Sequence, residues 1–154
     1  MDKVVLKSLA LLSLLVGAIF GVFAAIPYIG GLSLFAVLFL TAPIVMLLLI
    51  MAGKLDLTTP KASIINGALV GFFGNITFSF AYSVVVALLY LTIKFTTNYF
   101  LTAMIINSPV WLLIIIVLFI GILTAVTNAF SGFITYYIIN LIRDLYEKRH
   151  SQER

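Results

Sequence analysis

Four long apolar runs fill this chain, and short polar or turn-forming segments separate them. The runs are Ser8–Ile26, Leu32–Ala52, Ile64–Ile93 and Pro109–Ile139. A helix needs about 20 apolar residues to cross the roughly 30 Å hydrocarbon layer of a bilayer, so each run predicts a spanning helix. Strands are excluded, because apolar and polar residues do not alternate as a membrane barrel requires. Inside lipid, backbone N–H and C=O groups find no water, and only a helix satisfies them within one segment. The predicted fold is an all-α bundle of four transmembrane helices in one domain, residues 1–154.

Local signals refine the ends. Thr59-Pro60 and Ser108-Pro109 each place a capping hydroxyl before a proline at the first helical position. Helix 3 is therefore expected to start at Pro60. Pro43 lies inside span 2, removes the bond to the Phe39 carbonyl and predicts a kink there. Spans 3 and 4 hold about 30 residues each, near 45 Å at about 1.5 Å per residue, so they must tilt, bend or project. Tyr28, Tyr90, Tyr99 and Trp111 are expected at one interface, and Tyr136 and Tyr137 at the other. The segment Phe95–Asn107 is expected at the outer interface as a loop or short helix.

Charge adds orientation. Of the 9 Lys and Arg, only Lys94 lies in the links opposite the termini; the rest flank the N-terminus, the 53–63 linker and the 141–154 tail. The positive-inside bias puts both termini in the cytoplasm, with a prokaryotic plasma membrane as the expected location. The net charge of +4 flanks apolar runs and forms no groove, so no nucleic-acid partner is expected. Composition agrees, with 64% hydrophobic and 9% charged residues, against about 25% charged in a soluble domain. Lys3, Lys7, the apolar Leu9–Val16 and Val22-Phe23-Ala24 also fit a cleavable signal peptide. The length of the run and its packing pattern favour a retained span.

Helices in lipid associate by close backbone approach and interhelical hydrogen bonds. Small residues line candidate packing faces: Ser13, Gly17, Gly21 and Ala25 in span 1, Gly67, Gly71 and Gly74 in span 3, and Gly121, Ala125 and Gly132 in span 4. These faces serve either packing within the chain or dimerisation. Residues 17–24 also echo 67–74, which fits either a parallel repeat or a shared packing need.

An intramembrane polar seam is the more specific signal. Asn75, Ser79 and Ser83 share one face of helix 3, and Thr124, Asn128, Ser131 and Thr135 one face of helix 4. Centring the spans near Phe78 and Thr124 puts both asparagines at similar depth, so a shared hydrogen-bonded cluster between Asn75 and Asn128 is expected. The seam is readable as glue or as the wall of a polar passage. No Asp, Glu, Lys, Arg or His lies in a span, which counts against a proton-coupled pump.

No catalytic constellation, metal set or cofactor motif appears, so no enzyme and no cofactor are expected. Asn75-Ile76-Thr77 matches a glycosylation sequon but lies mid-membrane. His150 is expected to be a solvated tail residue, and the tail to extend helix 4 with Arg143–Glu147 and Asp144–Lys148 pairs.

Gly71-Phe72-Phe73-Gly74 with Thr77-Phe78-Ser79 resembles the third helix of small four-span fluoride channels. The glycine-rich first-helix motif with its arginine is missing, and span 2 has no asparagine. The likeness is read as accidental. The whole chain resembles uncharacterised prokaryotic small four-span integral membrane proteins with Gly-rich first and third helices, which implies no activity. The leading expectation is a non-enzymatic membrane protein acting through helix–helix contacts, as a homo-oligomer or an accessory subunit beside membrane lipid. The alternative is a passive channel or transporter for a small polar solute or ion, lined by Asn75, Ser79, Ser83, Thr124, Asn128 and Ser131.

Overall fold

A computed structural model describes residues 3–152, with side chains described through residue 149. The expectation for the His150 side chain lies outside the described residues. The chain is all-α: α1 (Lys3–Ala24), α2 (Gly30–Met51), α3 (Pro60–Ile93), a short α4 (Tyr99–Asn107) and α5 (Val110–Gln152). Four of these, all but α4, are long and apolar enough to cross a membrane. At about 1.5 Å per residue, the 34 residues of α3 and the 43 of α5 exceed the hydrocarbon layer. α5 continues as one helix beyond the expected end of its span.

α3 is the central helix. It packs on α1 along one flank and on α5 along another, and α2 fills the space beside both contacts. Lys3 and Gln152 lie at one end of the bundle, which is called here the termini end. The α1–α2 turn and α4 lie at the opposite end.

Local chemistry sets the boundaries. Thr59 Oγ1 accepts from Ala62 N at 3.2 Å, with Pro60 in the first turn of α3, as the sequence predicts. At α5 the expected Ser108 cap does not form. Ser108 is instead extended backbone after α4, and the Pro109 carbonyl accepts from Leu112 N at 3.0 Å to open the helix. Asn98 is a cap that sequence reading missed: its Oδ1 accepts from Leu101 N at 3.1 Å and starts α4. α2 ends at Gly53, whose φ of 66° is open to glycine without a Cβ penalty. Lys54 N then returns to the Leu49 carbonyl at 2.9 Å, closing the last turn.

The core is concentrated toward the termini end. Leu9, Val45, Met46, Leu49, Val70 and Ile139 form one buried cluster, and the linker side chains Leu55 and Leu57 plug it from below. That linker is more than a polar turn around Asp56. Its apolar residues anchor it, and Asp56 Oδ1 accepts from Arg143 Nη2 at 3.2 Å. Arg143 thus reaches across to the linker, whereas the sequence reading paired it along its own helix with Glu147. Toward the opposite end the buried cluster shrinks to Ala24, Val37 and Phe78.

Candidate functional site

Glycines set how the helices approach. A Cβ on Gly17 would fall on the Gly74 carbonyl oxygen, and one on Gly21 on the Phe78 carbonyl oxygen, so α1 and α3 touch backbone to backbone. On the other flank of α3, a Cβ on Gly67 would meet the Asn128 carbonyl oxygen, and one on Gly71 the Thr124 carbonyl oxygen. A Cβ on Gly132 would lie 2.6 Å from the Ser63 carbonyl oxygen, where Ser63 Oγ also donates to the Gly132 carbonyl at 2.9 Å. Gly121 faces Phe72 and Asn75. Ser13 is buried and donates to the Leu9 carbonyl at 2.6 Å. Ala25 is buried at the α1–α2 turn, where its carbonyl accepts from Thr97 Oγ1 at 2.9 Å; Ala125 is half-buried. The echo between residues 17–24 and 67–74 does not carry equivalent contacts, because Gly17 and Gly21 meet α3 whereas Gly67 and Gly71 meet α5.

This antiparallel register decides the fate of the two asparagines. Gly67 lies level with Asn128 and Gly71 with Thr124, so Asn75 falls level with Gly121. The two amides are about two helical turns apart along α5, roughly 10 Å. The expected Asn75–Asn128 cluster is therefore absent, and each amide has its own partners. The apolar midpoints of the spans misled by those two turns, because glycine-to-carbonyl contact sets the register and hydropathy does not.

Asn128 is fully buried and inserts into α2. Residues Ala36–Leu40 of α2 form a π-turn one turn before Pro43. Proline has no N–H and its ring crowds the carbonyl one turn back, so the ladder must widen or break there. Asn128 Oδ1 accepts from Ala42 N at 2.8 Å, and its Nδ2 donates to the carbonyls of Val37 at 3.0 Å, Leu38 at 2.9 Å and Thr124 at 3.0 Å. One carboxamide thus supplies the acceptor and donors that the interrupted backbone lacks. Before Pro43, where the sequence predicts a kink, the helical ladder widens into a π-turn that the Asn128 side chain bridges. Thr41 adds its own bond to the Val37 carbonyl at 3.0 Å.

Around Asn128 the other hydroxyls of the seam are used locally. Thr124 donates to Ile120, Ser131 to Thr127 and Thr135 to Ser131, all to carbonyls one turn back. Asn66, near the start of α3, is a buried amide that the sequence reading passed over, and among the described residues no hydrogen bond engages its side chain.

Asn75, Ser79 and Ser83 sit differently. They line a cavity of about 580 Å³ enclosed by α3, α4, α5 and the α1–α2 turn. Asn75 is 1% exposed, and its Nδ2 donates to the Val117 carbonyl at 3.1 Å. A carbonyl can only accept, so this contact fixes which amide atom is nitrogen and turns Oδ1 away from it. Among the described residues, no donor reaches Asn75 Oδ1 and no hydrogen bond engages the hydroxyls of Ser79, Tyr82 or Ser83. Tyr82 is a lining residue that sequence reading missed, although it is adjacent to the Ser79–Ser83 face. The remaining walls are apolar, among them Leu34, Phe78, Leu101, Met104, Ile116 and Ile120. The seam read as one strip is two sites. Thr124, Asn128 and Ser131 knit α5 to itself and to α2, and Asn75, Ser79 and Ser83 face a hollow.

No group of His, Cys, Asp or Glu able to hold a metal ion occurs among the described residues. Comparison with protein-family models, curated proteins and solved structures finds no match for this chain.

Proposed function

We propose that this chain is a non-enzymatic multi-pass membrane protein that binds a small molecule in the cavity beside Asn75. Its expected setting is a prokaryotic plasma membrane with both termini in the cytoplasm, supported by the Lys and Arg bias. The cavity then opens the outer half of the bundle. One observation carries this reading. The buried Asn75 and the half-buried Ser79 and Ser83 face about 580 Å³ of space in an apolar bundle, and Asn75 Oδ1 and the two hydroxyls have no protein partner among the described residues. That volume is typical of small-molecule sites, which are mostly apolar with a few placed polar groups. A passive channel or carrier is the same reading with one added step. Its solute would have to pass the Asn128 bridge, which closes the path on the termini side.

The test is the melting temperature of the detergent-purified protein against a panel of small neutral, anionic and cationic amphiphiles. Ser83→Phe fills the cavity without touching the glycine contacts. The reading expects at least one compound to raise Tm in the original protein and not in Ser83→Phe. Identical responses in both proteins would remove the cavity as a binding site.

A second reading, contact with another helix, is favoured by a different observation. Ile138, Leu141, Ile142 and Leu145 leave an exposed apolar stripe on the far part of α5. They follow the spacing of a two-helix seam. In a second copy of the chain the same stripe would leave the same membrane face in parallel, whereas the small-residue faces are already occupied inside one chain. Leu141→Glu with Leu145→Glu should dissociate such a dimer in cross-linking from native membranes. An unchanged cross-link, or none at the start, would remove it.

A further inference from the structure

We infer that the cavity takes an uncharged, mainly apolar molecule carrying one hydrogen-bond donor, a hydroxyl or N–H, that seats on Asn75 Oδ1. This rests on the binding reading above and names the ligand chemistry for that same cavity.

Three features select it. Among the described residues, no charged side chain lines the cavity. An ion brought there would lose its hydration without a counter-charge, which costs several kcal/mol even after relaxation. The ligand is therefore neutral.

Away from the mouth, where Tyr28, Thr97 and Asn98 lie, the polar groups are all on the α3 wall. Asn75, Ser79 and Ser83 recur every four residues of α3, about 6 Å apart. The walls from α4 and α5 present Leu101, Met104, Ile116 and Ile120. The complement is a molecule with a largely apolar body and polarity along one edge.

The innermost polar atom is an acceptor. One N–H of Asn75 Nδ2 is committed to Val117, whereas Oδ1 meets no donor among the described residues. Ser79 and Ser83 hydroxyls can serve either role, so they add tolerance and no sign. At the mouth, Thr97 Oγ1 donates to the Ala25 carbonyl and Asn98 Oδ1 accepts from the Leu101 N–H, so each side chain is partly engaged. Oδ1 opens on the cavity without a protein donor, and a ligand hydroxyl or N–H would supply one. A ligand bearing only ether or carbonyl oxygens could accept from the serines or the second Nδ2–H but would leave Oδ1 without a donor.

The experiment uses the full chain in phosphatidylcholine liposomes with a diazirine-bearing octanol as photolabel. Labelled peptides are mapped by mass spectrometry, and the label is competed with 1-octanol, its methyl ether, octane and octanoate at matched membrane concentrations. The expected result is labelling around 75–83 and 113–120. Octanol should displace it about tenfold more effectively than the methyl ether or octane, the scale of one good hydrogen bond. Asn75→Leu should erase the preference for octanol over its ether while keeping the label in the cavity. If that variant does not fold, the octanol-to-ether ratio in the unaltered protein still decides. Equal displacement by octane would mean that any apolar body, a lipid tail included, fills the space, which overturns the donor assignment and leaves the binding reading intact. Stronger displacement by octanoate would overturn neutrality. Label distributed over the lipid-facing surface, with none in the cavity, would overturn the binding reading itself.

Discussion

The two halves of α3 are built on opposite plans. Toward the termini, Gly67, Gly71 and Gly74 bring backbones together so closely that a single methyl group would strike a neighbouring backbone or Thr41. Hydroxyls and amides there, from Ser63 to Asn128, are bonded inside the protein, Asn66 excepted. Beyond Asn75 the same helix carries Ser79, Tyr82 and Ser83 instead of glycines, and α5 stands off behind a cavity. Small residues remove side-chain volume and let helices close. A serine at the same spacing leaves a polar group that must be satisfied by a partner, and among the described residues none is supplied. The contrast teaches that polarity inside a membrane bundle has two uses, which hydrogen-bond accounting separates: glue is already paired, and a site is not.

Substitutions in the two halves should differ in size. Asn128→Leu strips partners from Ala42 N–H and from the Val37 and Leu38 carbonyls. At roughly 1 kcal/mol for each group in a membrane bundle, a loss of about 3 kcal/mol is expected in reversible unfolding from mixed micelles. Gly71→Ala forces α3 away from Thr124, and overpacking of this kind costs about 1–3 kcal/mol. Should Gly71→Ala be neutral, the closed half is softer than its contacts imply. Asn75→Leu loses one bond to Val117 and removes one unpaired acceptor, so a change within about 1 kcal/mol is expected. Ser83→Leu only fills part of a hollow and should shift stability by less than about 0.5 kcal/mol. A large loss there would mean that the hollow is structural. Arg143→Gln should also change little, since its partner Asp56 is largely exposed and such pairs contribute about 0–1 kcal/mol.

Much of the architecture was readable in advance. The apolar runs locate the four long helices, Thr59-Pro60 marks the start of α3, and the small-residue faces are the ones at which helices meet. Periodicity also finds which polar residues share a face. It cannot tell which helix that face meets, and the two asparagines separate on that point. The Pro43 position held an unread clue. A proline in a lipid-embedded helix leaves a carbonyl without its donor, and the Asn128 carboxamide can supply two N–H donors together with an acceptor. Leu55 and Leu57 were hidden because a short linker with charges reads as solvated. Only the fold reveals that its alternate residues point back into the core.

The central claim is that the stretch of the seam away from the termini borders open space and the stretch around Asn128 does not. The chain has no cysteine, so single Ser→Cys or Thr→Cys replacements report without background. Small thiol reagents applied to sealed vesicles should modify Ser79→Cys and Ser83→Cys readily, while Ser131→Cys and Thr124→Cys resist modification until the protein is unfolded. Equal modification rates at Ser83→Cys and Thr124→Cys would contradict the account, because one continuous passage or one uniformly packed seam would then describe the molecule better than two halves.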